Sequence, residues 1–326
     1  MITRRWAAAV VAVVLVGCGP AQSAPPTTPV SPSVSPTPTP TPTITPLPDT
    51  ELPLRFPIDG ALVDHAAEVV QRLHDVAAGL PVLKVDVTRQ QATLTALLPD
   101  KSVRSYSWRG GQITRVDSDI QYLRQATFDP ADYPIDSVGR MFDVADLRGV
   151  RGELVLQVVE YRDGQVLMTV TSRPETTTVF FRKDGTAVTT LGYTSVADIT
   201  AGLDEVVGGG TALYSIGFNP TRGYWADLTD DEPGVVLSRS RVGGVPVFET
   251  RRSETPGVAT FSPDLLKPAA LAQAITRYQT DPTQACTVVV DMSTGRWAPV
   301  ARYDCAGAIH YTDMAGRDMT DLIAPS

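Results

Sequence analysis

Apolar positions follow two rhythms along residues 51–326, and the rhythm changes at recurring distances. Leu62, Ala66, Val69, Val70, Leu73 and Val76 fall at the three- and four-residue intervals of one helix face, and Gly79-Leu80-Pro81 stops the run. Leu271, Ala274, Ile275 and Tyr278 repeat the pattern, and shorter helical patterns cover Val138–Leu147 and Val196–Val207. Each helix follows an aromatic opening: Phe56-Pro57-Ile58-Asp59, Tyr133-Pro134-Ile135-Asp136, Tyr193-Thr194-Ser195 and Phe261-Ser262-Pro263-Asp264. These openings are spaced by 77, 60 and 68 residues. Strand-like stretches come next, starting with Val82–Val87, 154–161, 212–218 and 286–291.

Turn residues punctuate the strands in the same order. First turns lie at Arg89-Gln90-Gln91, Asp163-Gly164, Pro220 to Gly223 and Ser293 to Gly295. Second turns lie at Gly110-Gly111, Asp184-Gly185, Gly243-Gly244 and Ala315-Gly316, where glycine supplies the positive φ that tight hairpins need. The pattern predicts an α+β fold of four tandem helix-plus-antiparallel-sheet (αββββ) units, with the helices covering one sheet face. Units 1 and 2 span 51–190, and units 3 and 4 span 191–326. Gly223-Tyr224-Trp225-Ala226 and Gly295-Arg296-Trp297-Ala298 occupy the same place in units 3 and 4, which predicts a shared core position for the two tryptophans. Pro246 and Pro299 fall inside strand patterns, so those strands are expected at edges or bulges.

The first 50 residues have no such rhythm. Arg4 and Arg5 precede an apolar run from Trp6 to Val16, too short for the roughly 20 residues of a membrane span. Residues 1–17 read as a signal peptide. Eleven of the 27 prolines follow between Pro20 and Pro48, so 18–50 is expected to be a disordered Pro/Thr/Ser-rich linker. The formal charge of −8 deepens to −10 without the signal peptide, and only four of the 28 basic residues are lysine. That balance argues against nucleic acid as a partner.

Leu15-Val16-Gly17-Cys18 resembles the bacterial lipobox. The resemblance implies cleavage before Cys18, a lipid on its sulfur and a membrane anchor facing out of the cytoplasm. The arrangement of 51–326 resembles the PepSY-like repeats of exported bacterial proteins and the tandem units of β-lactamase inhibitory protein. That resemblance implies recognition rather than catalysis, with a protein or cell-wall partner.

With Cys18 committed to lipid, Cys286 and Cys305 are expected to form a disulfide outside the reducing cytoplasm. Simple hairpin pairing places Cys286 opposite residues 301 to 303, so a bulge near Pro299 is expected. His65 and His74 lie about 180° apart on one helix and cannot share a metal. Nothing in the sequence requires a cofactor. On the strand around Tyr106, the residues Arg104, Tyr106, Trp108 and Arg109 form a candidate aromatic-basic binding face. Its alternative is the helix-covered side of the sheet. A carrier that holds a lipid or other amphiphile in a sheet-lined pocket is the second functional expectation. An enzyme with residues converging from different units is the third.

Overall fold

A computed structural model describes residues 45–281 and 283–323. Cys18, the expected signal peptide and the expected linker through residue 44 lie outside the described residues. The expected linker boundary at residue 50 falls inside the packed region. Pro46 is buried, Leu47 donates its backbone N–H to Val76 O at 2.9 Å, and Asp49 pairs with Arg115.

The first sheet begins with the short β1 (Leu54–Arg55). Helix α1 (Ala66–Val76) then leads into β2 (Val82–Val87), β3 (Gln91–Leu97), β4 (Val103–Arg109) and β5 (Gln112–Val116). Helix α2 (Val138–Leu147) leads into β6 (Glu153–Arg162), β7 (Gln165–Arg173) and β8 (Val179–Phe181). The strands lie in the order β1-β5-β4-β3-β2-β6-β7-β8. The leading strands β2 and β6 pair antiparallel at the middle, from Lys84↔Val159 to Val87↔Leu156.

The second sheet has the same plan. Helix α3 (Val196–Val207) leads into β9 (Leu213–Asn219), β10 (Gly223–Thr229), β11 (Val235–Arg241) and β12 (Phe248–Ser253). Helix α4 (Pro268–Tyr278) leads into β13 (Thr287–Asp291), β14 (Val300–Cys305) and β15 (Ala308–Thr312). Here β9 and β13 meet at the middle of the order β12-β11-β10-β9-β13-β14-β15. The fold is α+β, with two antiparallel sheets and helices on one face of each.

The second and fourth segments depart from αββββ. Each carries three strands, and the fourth shrinks to a single bridge, Phe181↔Ala187 or Thr312↔Asp318. The turn residues give the reason. Asp184 accepts from the N–H of Thr186, and Asp313 accepts from the N–H groups of Ala315 and Arg317. Such local capture turns the chain before a ladder extends.

Helix stripes account for both cores. Val69, Val70 and Leu73 of α1 pack with Val85, Leu94, Tyr106 and Trp108 of the first sheet. Ile199 and Leu203 of α3 and Leu271 and Ile275 of α4 pack with Ile216, Phe218, Tyr224 and Val288 of the second. Each such large side chain stabilises the fold by roughly 1.5–3 kcal/mol when fully buried. Gly202 sits mid-helix because Tyr224 lies against it; a Cβ there would stand 2.4 Å from the ring.

The matched tryptophans do not share a position. Trp225 is 4% exposed on β10, whereas Trp297 is 91% exposed in the loop before β14. Gly217, which pairs with Trp225, and Val289, which pairs with Arg302, are themselves partners across β9 and β13. The hairpin between β13 and β14 is therefore longer, and Trp297 is carried out of the sheet. The same longer loop, with no bulge, sets Cys286 beside Cys305, and the two form a disulfide. Pro246 and Pro299 lie in loops just before β12 and β14 rather than within strands.

The two sheets are joined at the β7–β8 end of the first. Leu167, Phe180 and Val188 are buried there against Val245. Beside them Glu205 of α3 pairs with Arg182 at 2.7 Å and with Arg241 of β11 at 2.9 Å.

Candidate functional site

Alternation along β2, β3 and β4 sends apolar side chains to the helices and polar ones to the opposite face. Val85 and Val87, Ala92 and Leu94, and Tyr106 and Trp108 belong to the helix-covered core. Lys84 and Asp86, Gln91, Thr93 and Thr95, and Ser105 and Ser107 stand on the other side, and cross-strand register lines them up. Thr93 faces Asp86 and Ser107, and Thr95 faces Lys84 and Ser105.

This register corrects the expected aromatic-basic face. Tyr106 is fully buried and Trp108 is 6% exposed, and Trp108 Nε1 donates to Phe56 O at 2.8 Å. Arg104 is half-buried on the same side of the strand, opposite Ala96. Arg109 is exposed on the polar face, opposite Gln91. The four residues divide between the two faces because strand neighbours alternate, and helix packing takes the aromatic side.

The polar face is a connected network. Gln91 Nε2 donates to Ser107 Oγ at 2.8 Å, and Thr95 and Ser105 share a hydrogen bond of 2.7 Å. Lys84 Nζ lies 2.9 Å from Asp86, and Gln157 Nε2 of β6 donates to the other Asp86 oxygen at 3.0 Å. Asp119, beyond β5, bonds Lys84 from outside the sheet at 2.5 Å, and Arg173 of β7 lies 3.9 Å from Asp86. Burial works against the Lys84 ammonium, but the Asp86 and Asp119 carboxylates outweigh it and hold its pKa above the ordinary lysine value. A raised pKa means that its stabilising contribution is complete below the unfolded value. It is lost only as pH rises through the higher folded value, so the Lys84 ammonium stays charged throughout the physiological range.

A recess of about 230 Å³ opens at this cluster, lined by Asp86, Thr88, Gln91, Thr93, Ser105, Val116, Asp117, Asp119 and Arg173. Its donors and acceptors suit a hydrogen-bonding, charged ligand group, and Val116 is its one apolar side chain. The second sheet also carries polar groups on its helix-free face. There Asp227 accepts from Ser238 and from Arg252, and the Arg222 guanidinium lies 4.2 Å from the Trp225 ring, which leaves Trp225 covered. Two further cavities, of about 510 and 710 Å³, flank Tyr133. Burial pushes the Tyr133 phenol up to about 12, and Lys183 stacks on its ring at 5.1 Å.

The histidines stand apart from the recess. His65 contacts Asp59 O and Glu68, and His74 is buried with Nε2 on Leu80 O at 3.0 Å, tying the end of α1 to the following turn. His310 stacks on Tyr278 with ring centroids 4.1 Å apart.

Sequence reading did not find the cluster at Lys84 and Asp86, although a signal was present. Two charges at alternate positions of an otherwise apolar strand mark one face as polar. The partners come from distant segments: the pairing of β2, β6 and β7 brings Gln157 and Arg173 near, and the chain crossing from β5 brings Asp119. No protein-family model and no curated protein matches the chain.

Proposed function

We propose that this chain is a non-enzymatic recognition protein, anchored by lipid on Cys18 outside the cytoplasm, whose first sheet binds a polar partner through its helix-free face. The partner is a cell-wall polymer or a segment of a protein. The recess among Asp86, Thr93, Ser107-bonded Gln91 and Arg173 carries this reading. It offers carboxylate, hydroxyl, amide and guanidinium groups together on one rigid sheet, and rigid presentation reduces the ordering cost of binding.

The carrier reading has less support. It needs a continuous apolar cavity between helices and sheet, and among the described residues that space holds Val69, Leu73, Tyr106 and Trp108 of the first core.

The test follows the full-length protein through fractionation of the cell envelope. Wild type is expected to stay with the detergent-insoluble wall or in a larger complex. A Gln91→Arg, Thr93→Arg variant, which fills the recess, is expected to be released with a loss of at least about tenfold in retention. Equal retention of the two contradicts the reading.

A further inference from the structure

Asp119 reaches the recess from a crossing segment rather than from a strand. The chain leaves β5 at Val116 and next bridges the sheet at Phe128, which pairs with Val82 at the start of β2. Strands β4 and β3 lie between those points, so residues 117–127 must pass across the sheet. From this crossing the Asp119 carboxylate bonds Lys84 Nζ, although its own side chain is 64% exposed.

Lys84 does not depend on that contact for neutrality. Asp86 lies against it at 2.9 Å from within the sheet, and its side chain is only 12% exposed. The ammonium thus has one built-in counter-ion and a second carboxylate docked from the solvent side. Arg173, with a side chain 56% exposed, approaches the same Asp86 oxygen at 3.9 Å and lines the recess, while the Lys84 ammonium lies behind Asp86 and Asp119.

We propose that the Asp119 carboxylate holds the place of a ligand carboxylate, and that the recess binds an acid whose anion exchanges with Asp119 on Lys84 and reaches Arg173. This rests on the polar face being the recognition surface and names the group it recognises. The exchange is physically permitted because Asp86 stays behind, so no buried charge is left unpaired when Asp119 moves away. An exposed carboxylate held by one ion pair is readily displaced. The incoming acid gains charge-assisted bonds from an ammonium and a guanidinium together. Of the other lining residues, Thr88, Gln91, Thr93 and Ser105 supply neutral hydrogen bonds to amide or hydroxyl groups beyond the carboxylate, and the Asp117 carboxylate favours a donor such as an amide N–H at its side of the recess.

Two sources carry such a group, a peptide C-terminus and a sugar acid, and calorimetry on the full-length protein in detergent separates them. The probes are N-acetyl-alanyl-alanine, its C-terminal amide and glucuronate. At least one acid is expected to bind, and the peptide amide is expected to bind at least about tenfold more weakly than the peptide acid if the peptide is the source. Asp119→Asn removes the competing carboxylate and is expected to raise affinity for the bound acid severalfold with an unchanged melting temperature. Arg173→Gln is expected to lower it about tenfold. The inference is overturned if neither acid binds wild type or Asp119→Asn, if the peptide acid binds but its amide binds equally well, or if Asp119→Asn leaves acid affinity unchanged. If envelope retention still depends on Gln91 and Thr93 in any of those cases, the recognition face stands and only the carboxylate exchange falls.

Discussion

Replacing Trp108 by alanine is expected to destabilise the protein by about 3–5 kcal/mol, the range for deleting a large buried aromatic side chain. The indole is 6% exposed, packs in the core under α1 and donates its Nε1–H to Phe56 O. Truncation leaves a cavity between helix and sheet and strips that carbonyl of its donor, and both effects act in the same direction. Arg109 ends the same strand but is exposed on the other face, so Arg109→Ala is expected to change stability by less than about 0.5 kcal/mol. Urea unfolding of the two variants checks both values. A Trp108→Ala protein as stable as wild type would place the indole at the surface and reverse the assignment of the two sheet faces.

The second large effect lies at the junction of the sheets. Glu205→Gln is expected to cost about 3 kcal/mol or more, because it removes the counter-ion of a guanidinium that is 1% exposed. Burial pushes the Arg241 pKa down, and the Glu205 carboxylate is the main group opposing that shift. Arg182, the other partner, has a side chain 38% exposed and regains water when Glu205 is neutralised, so the penalty falls mainly on Arg241. Adding Arg241→Met is expected to recover part of the loss, since an apolar side chain carries no desolvation cost once the carboxylate is gone. Denaturant midpoints for the single and double variants give the comparison. A double variant less stable than Glu205→Gln alone would show that the stability comes from contacts of the Arg241 stem and not from its charge.

Local signals in the sequence reached far into the fold. The bounds of α2 and α3 and of β2 follow from helical or strand rhythm, and the turns at Gly111, Gly185, Gly243 and Gly316 fall where glycine was needed. What local pattern could not supply was which face of each strand the helices cover. Ser105, Tyr106, Ser107 and Trp108 alternate cleanly, yet both the hydroxyl and the aromatic residues are buried. The choice is made by helix packing on one side and by residues 117–127 crossing the sheet from β5. Loop length was equally hidden. Gly295-Arg296-Trp297 places its glycine and tryptophan at the spacing of Gly223-Tyr224-Trp225, but a longer loop before β14 shifts the pairing and leaves Trp297 outside. The recess combines both difficulties, since Asp86 meets Gln157 and Arg173 only through the pairing of β2, β6 and β7.

Site-specific photo-cross-linking tests the central claim most directly. A benzophenone amino acid is placed at Thr93 or Arg109 on the polar face, or at the exposed Arg140 of α2, in the full-length protein within the cell envelope. The account predicts adducts with a wall polymer or a protein from Thr93 and Arg109 and none from Arg140. Adducts from Arg140 alone, or equally from all three positions, would contradict recognition through the helix-free face of the first sheet.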